Sequence, residues 1–144
     1  MTKDEYYLGI ALAVAKKSAC LKKQHGAVIV KNDEIVSTGY NGNCRGESHC
    51  LTCTKVKINK DEAEYLTCKS VHAEMNAIIS ASRNEMLGAT LYLAGYITST
   101  GEKNLNVEPC EICLRLIKNA GIDKVVTSNG VIYQRDSQGI LRRN

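Results

Sequence analysis

Two short stretches of this chain hold residue types at spacings suited to metal-assisted hydrolysis. His72-Ala73-Glu74 opens one predicted helix, and Pro109-Cys110-Glu111-Ile112-Cys113 opens the next. Cys110 and Cys113 stand three residues apart, so on a helix they share a face and can address one ion. A first helical turn favours their thiolate forms, because unpaired N–H groups and the dipole put positive potential there. His72 adds a third donor. Three protein donors leave one tetrahedral position open, which separates a catalytic zinc site from a closed structural one. Zinc in such a site lowers the pKa of its water from about 15.7 towards about 7. Glu74, two residues past His72, is placed to take that proton and return it elsewhere.

Each motif alone has a plainer reading. A single Cys-x-x-Cys can be a redox dithiol or half of a structural zinc site, and His-x-Glu recurs by chance. A thiol oxidoreductase would need Cys110 and Cys113 to cycle with an oxidant, which metal-bound thiolates resist. A non-catalytic, zinc-stabilised binding module would have no use for Glu74 beside its metal ligand. The conjunction, with both motifs opening helices and a strand between them, favours catalysis.

Cysteine usage points the same way. Seven thiols, Cys20, Cys44, Cys50, Cys53, Cys68, Cys110 and Cys113, are an odd number, which disfavours a fully paired disulfide framework. Such enrichment in a reducing compartment indicates metal binding or thiol chemistry. Cys20, Cys50, Cys53 and Cys68 surround a segment without periodicity, from Asn41 to Ser70. A cross-linking metal is the simplest reason for so long an irregular stretch. These four would form a closed second zinc site tying the first helix to the active-site helix, and His49 could replace one of them. Buried or free cysteines are the alternative, and Cys44 has no assigned role.

The elements that must position these groups follow from local signals. Thr2 and Glu5 have the capping-box form, predicting a helix from about Lys3 to Cys20. Gly26–Val30 and Ile35–Thr38, joined by Lys31–Glu34, predict a β-hairpin. A helix is expected from His72 to about Asn84, and a strand over Thr90–Leu93. Gly95–Glu108 reads as a polar loop with a small hairpin around Thr100-Gly101. Pro109 suits a helix start, Gly121 a C-cap near Ala120, and Lys124–Thr127 a further strand. A last strand falls near Val131–Tyr133, ahead of a polar tail. The alternation implies an α/β fold, a central mixed sheet of about five strands with parallel members and covering helices, in one domain over residues 1–144.

Length, 144 residues, with 44% apolar and 24% charged side chains excludes disordered, fibrous and membrane classes. No signal peptide and no run of 18 apolar residues is found, predicting a cytoplasmic protein with no membrane partner. Phe and Trp are absent and the net charge is +4, with basic residues scattered in pairs. Scarce aromatics and modest charge argue against a nucleic-acid partner.

H-x-E … P-C-x-x-C is the known signature of zinc deaminases, and from about Cys20 to Val126 the chain resembles the cytidine/deoxycytidylate deaminase family. His72-Ala-Glu-Met-Asn-Ala-Ile78 and Ser37-Thr-Gly-Tyr-Asn-Gly42 look most like its deoxycytidylate branch. The resemblance implies a three-layer α/β/α fold and a catalytic zinc on His72, Cys110 and Cys113, with Glu74 shuttling protons. It further implies that Asn41 contacts the sugar and the Ala73 N–H the base carbonyl, and that Arg83 lies near the nucleotide and a subunit interface. Activated water would attack C4 of cytosine, N3 would be protonated, and ammonia would leave. Some phage and bacterial branch members carry a second, structural zinc, whose positions Cys20 and Cys50 match. The expected function is deamination of a cytosine nucleotide, dCMP to dUMP, by a homo-oligomer. Alternatives in the same class are a free nucleoside, a nucleobase or a modified pyrimidine. Arg45, Lys103 and Arg83 are the cations available for a phosphate. The Gly95–Glu108 insertion before the zinc ligands departs from the family pattern and bears on substrate identity. The proline often found after Tyr-Asn-Gly is missing too.

Overall fold

The computed structural model describes residues 1–53 and 68–144. Among these, the element order is α1 (Lys3–Ala15), β1 (Lys23–Lys31), β2 (Glu34–Tyr40), α2 (Ala73–Ile79), α3 (Arg83–Met86), β3 (Thr90–Ile97), α4 (Glu111–Ala120), β4 (Lys124–Thr127), β5 (Ile132–Arg135) and β6 (Leu141–Arg143). The strands form one sheet in the order β2-β1-β3-β4-β5-β6. Only β3 and β4 run parallel; every other neighbouring pair is antiparallel. Of the Asn41–Ser70 stretch, residues 54–67 lie outside the described part. The rest holds no helix or named strand, only a bridge between Gly42 and Val71.

Strand alternation divides the interior into two layers, since successive side chains point to opposite faces. Ala27, Ile29, Leu91, Leu93 and Val125 pack with Ala73 and Ala77 of α2 and Ile117 of α4. Val28, Val30, Tyr92, Ala94 and Val126 face Tyr7 and Ala11 of α1. The result is the expected three-layer α/β/α arrangement. Tyr7, Ala11 and Ala15 are spaced four apart on α1, which buries that stripe with few large side chains. The phenol of Tyr7 donates to the Asp33 carboxylate at 2.7 Å, and that of Tyr92 donates to Asp4 at 2.8 Å.

Several boundaries differ from expectation, each for a local reason. α1 stops at Ala15 rather than Cys20. The next three amides make i→i−3 turns, and the buried Ser18 hydroxyl donates to the Asn41 carbonyl at 2.8 Å, turning the chain towards β2. The helix expected from His72 to Asn84 is two: α2 ends at Ile79, and Ser82 with Glu85 forms a capping box that starts α3. Among the described residues the sheet has six strands, because the polar tail pairs as β6 through a turn in which the Asp136 carboxylate accepts two amide N–H groups. The hairpin turn is tighter than expected, with Asn32 and Asp33 both at positive φ.

α2 lies close on β2. The Ser37 hydroxyl donates to the Ala77 carbonyl at 2.7 Å, and a Cβ added to Gly39 would strike the backbone of Ala73 and Ala77. Gly39→Ala is therefore expected to push α2, and His72 and Glu74 with it, off the sheet. The expected cost is about 1–3 kcal/mol, a fall of roughly 3–10 °C in Tm by calorimetry. An unchanged Tm would mean that the helix does not sit where described.

Candidate active site

α2 and α4 bring their N-termini together at the C-terminal end of β3. His72 is the N-cap of α2 and Cys110 that of α4; the Cys110 sulfur accepts the Cys113 N–H at 3.4 Å. Capping therefore aims both thiols at the end of α2. The Nδ1 of His72 stands 3.5 Å from the Cys110 sulfur and 3.3 Å from that of Cys113. Zn–S and Zn–N bonds of about 2.3 and 2.0–2.1 Å at tetrahedral angles put N and S about 3.6 Å apart. The observed separations fit one zinc ion. Among the described residues these three form the one metal-ligating group of His, Cys, Asp or Glu, and no fourth joins it.

Burial sets the electrostatics. Glu74, 3% exposed, has its carboxyl pushed above the ordinary range, by desolvation first. Burial of this kind favours the protonated form, which suits a group that takes up a proton and hands it on. Without metal, the two thiols share a proton. The hydrogen bond from Cys113 holds Cys110 low, at about 3, while the same bond and burial push Cys113 up. A bound dication favours both thiolates.

The remaining expected site residues are placed less uniformly. Ala73 is buried in the first turn of α2, where amide N–H groups have no helical partner. Asn41 is 9% exposed and spans the start of β1. Its Oδ1 accepts the His25 N–H at 2.8 Å, and its Nδ2 donates to the Lys23 carbonyl at 2.8 Å. Asn76, one turn into α2, donates to the Tyr40 carbonyl at 2.8 Å. Arg83 begins α3, exposed, beyond the far end of α2 from His72, so the described chain does not bring it to the donor group. Arg45 and Lys103 are exposed as well. Cys20, Cys50, Cys53 and Cys68 line one small cavity together with His49, but their sulfurs do not draw together as the catalytic donors do. Cys44 is exposed. Sequence reasoning missed His25 and Asn104, which meet across β3. A histidine just before Gly26-Ala-Val-Ile-Val was the available signal, but its partner is 79 residues away.

Paired helix starts that present three soft donors, with a buried carboxyl beside them, are equipment for activating water. The class is a zinc-dependent hydrolase. The chain belongs to the family described as cytidine and deoxycytidylate deaminase zinc-binding region, whose family model matches residues 1–129. It is 40% identical over 129 residues to the deoxycytidylate deaminase of Mycobacterium phage D29, covering 85% of this chain and 91% of that protein. It is 31% identical over 141 residues to the deoxycytidylate deaminase of Saccharomyces cerevisiae, covering 96% of this chain but 41% of that longer one. Among solved structures, the apo dCMP deaminase of cyanophage S-TIM5 superposes with a TM-score of 0.62 at 26% identity, covering 86% of this chain and 80% of that one. The same cyanophage enzyme in complex with dCMP and dUMP gives 0.60 at 25% identity, covering 85% and 78%.

Proposed function

We propose that this chain hydrolyses the amino group of a cytosine nucleotide, converting dCMP to dUMP and ammonia. The convergence of His72, Cys110 and Cys113 beside buried Glu74 carries the chemistry. Similarity to proteins named deoxycytidylate deaminase supports the substrate. His72 Nδ1 and the two sulfurs would hold the zinc. Bound there, it would supply an acidified water, with the pKa lowered from about 15.7 towards about 7. Glu74 accepts a proton from the attacking water and delivers it to N3 as oxygen adds at C4. Glu74 next takes the proton of the added hydroxyl and passes it to the amino nitrogen, so that the C4–N bond breaks, ammonia leaves and C4=O forms, giving uracil. The Ala73 N–H holds the base carbonyl. The second amide proton of Asn41, beyond the one given to Lys23, serves the sugar. A role for Arg83 goes with a homo-oligomer, because α2 separates it from the site of its own chain.

Among the described residues no helix is long and apolar enough to cross a membrane. The seven cysteines are free, which suits the reducing cytoplasm. The zinc protein should release ammonia fastest from dCMP in a panel with CMP, deoxycytidine, cytosine, guanine and adenosine. A faster rate with deoxycytidine or cytosine would move the assignment to a nucleoside or base. No ammonia from any of them would leave a non-catalytic zinc module.

The shared cavity of Cys20, Cys50, Cys53, Cys68 and His49 supports a second, structural zinc. Closing these thiols on a metal would tie the end of α1 to the approach to α2, since Cys20 follows one and Cys68 precedes the other.

A further inference from the structure

The imidazole of His25 takes no part in the chemistry above, yet it lies on the face of the sheet that carries the site. On β1 it alternates with Ala27 and Ile29, which pack under α2, and it stands one step nearer the strand's start. Its neighbour across the sheet is Gly95 of β3. The ring lies over that glycine so closely that a Cβ there would strike ring Cδ2. On the other side of β3 runs the return limb of the insertion: Ile97 N–H donates to the Glu102 carbonyl at 2.8 Å, and Asn104 N–H to the Gly95 carbonyl at 2.9 Å. His25 and Asn104 thus come from the two neighbours of one strand and meet above its glycine, Nε2 to Nδ2 at 3.3 Å.

The direction of this hydrogen bond is set by what else Asn104 does. Its side chain is buried, 4% exposed, and its Oδ1 accepts the Asn106 N–H at 3.0 Å. The amide NH₂ therefore faces His25, which must accept through Nε2 and carry its proton on Nδ1. Burial agrees: it lowers the pKa of His25 to about 4, with Lys23 and His72 adding to the effect, so the ring is neutral near pH 7.

From Asn104 the limb runs straight to the zinc ligands and is held along the way. The Leu105 carbonyl accepts from Asn129 Nδ2 at 3.0 Å, and Val107 is fully buried. Glu108 accepts the Tyr133 hydroxyl at 2.9 Å and Arg143 Nε at 2.7 Å, and Pro109 and Cys110 follow. The insertion's return limb is therefore a fixed part of the molecule, and the Asn104 contact ties it to β1, whose His25 N–H also holds Asn41.

We propose that His25 is a positioning residue: by accepting the Asn104 amide over Gly95, it fixes the insertion's return limb as one wall of the nucleotide site. This rests on the deaminase reading above. His25→Leu keeps the bulk but loses the acceptor, whereas His25→Gln presents a carboxamide oxygen in its place. In the zinc-loaded protein, His25→Leu is expected to raise KM for dCMP about tenfold with kcat within about twofold, the effect of losing one buried hydrogen bond. Native-state exchange of the Asn104 and Asn106 amides should rise by about the same factor, and His25→Gln should restore most of both. Unchanged KM and exchange in His25→Leu, with only a lower Tm, would overturn the proposal by making the ring a space-filler. An equal loss in His25→Gln would overturn it too, since the acceptor would then not matter. Should His25→Leu fail to fold, Asn104→Leu removes the donor instead; the same KM and exchange changes support the proposal, and their absence overturns it. If the parent protein releases ammonia from none of the panel substrates, the deaminase reading fails, while the exchange measurements still test the contact.

Discussion

Glu74→Gln is expected to lower turnover of dCMP by about 10²–10⁴-fold while leaving the catalytic zinc in place. Glutamine has the shape of the carboxyl and makes no change to the His72, Cys110 and Cys113 donors. It cannot accept a proton from water at any working pH. Glu74 is buried, its carboxyl pushed towards the neutral form by desolvation, so no solvent base can stand in at its position. The checks are ammonia release and metal content on the same sample. Parent-rate turnover would show that another group moves the proton. Loss of zinc would show that Glu74 acts on the metal site rather than on the substrate.

Metal counts should separate the two thiol groups. The parent chain is expected to carry two zinc ions, Cys113→Ser and Cys53→Ser one each, by metal analysis after dialysis. Cys113→Ser should lose all measurable deamination, because two donors hold zinc far more weakly than three. It should also lose the stability that zinc confers on the folded state, about 4 kcal/mol where free zinc stands about a thousandfold above its Kd. Cys53→Ser should retain deamination of dCMP, since Cys53 lines the cavity shared with Cys20, Cys50 and Cys68 and stands outside the catalytic group. One zinc in the parent, unchanged by Cys53→Ser, would dismiss the second site. One zinc in the parent that survives Cys113→Ser would dismiss the catalytic one.

The sequence was most legible where the signals are local. The Thr2–Glu5 capping box, the β1–β2 hairpin, the Cys110 start of α4 and the Lys124–Thr127 strand are all present in the fold. Hydrophobic periodicity alone runs on from α2 into α3, and the second capping box at Ser82 is what divides them. β6 was missed because its alternation is carried by arginines, with Leu141 alone reaching the core. Gly95–Glu108 reads as a polar loop because most of its residues are polar, yet Gly95–Ile97 continue β3. Asn104 nonetheless lies inside, satisfied by His25 and by its own neighbour's amide.

By itself, then, the chain's sequence determined the donor types, the carboxyl two residues past one of them and the helix starts that present them. These depend on residue identity and on spacings of a few positions. Tertiary structure alone decided that Nδ1 of His72 faces both sulfurs, that Glu74 is sealed from water and that Arg83 stands away from the donors. It also decided that His25 meets Asn104 above a glycine. Those facts follow from strand register and helix docking, which join residues tens of positions apart, and no local pattern encodes such a distance.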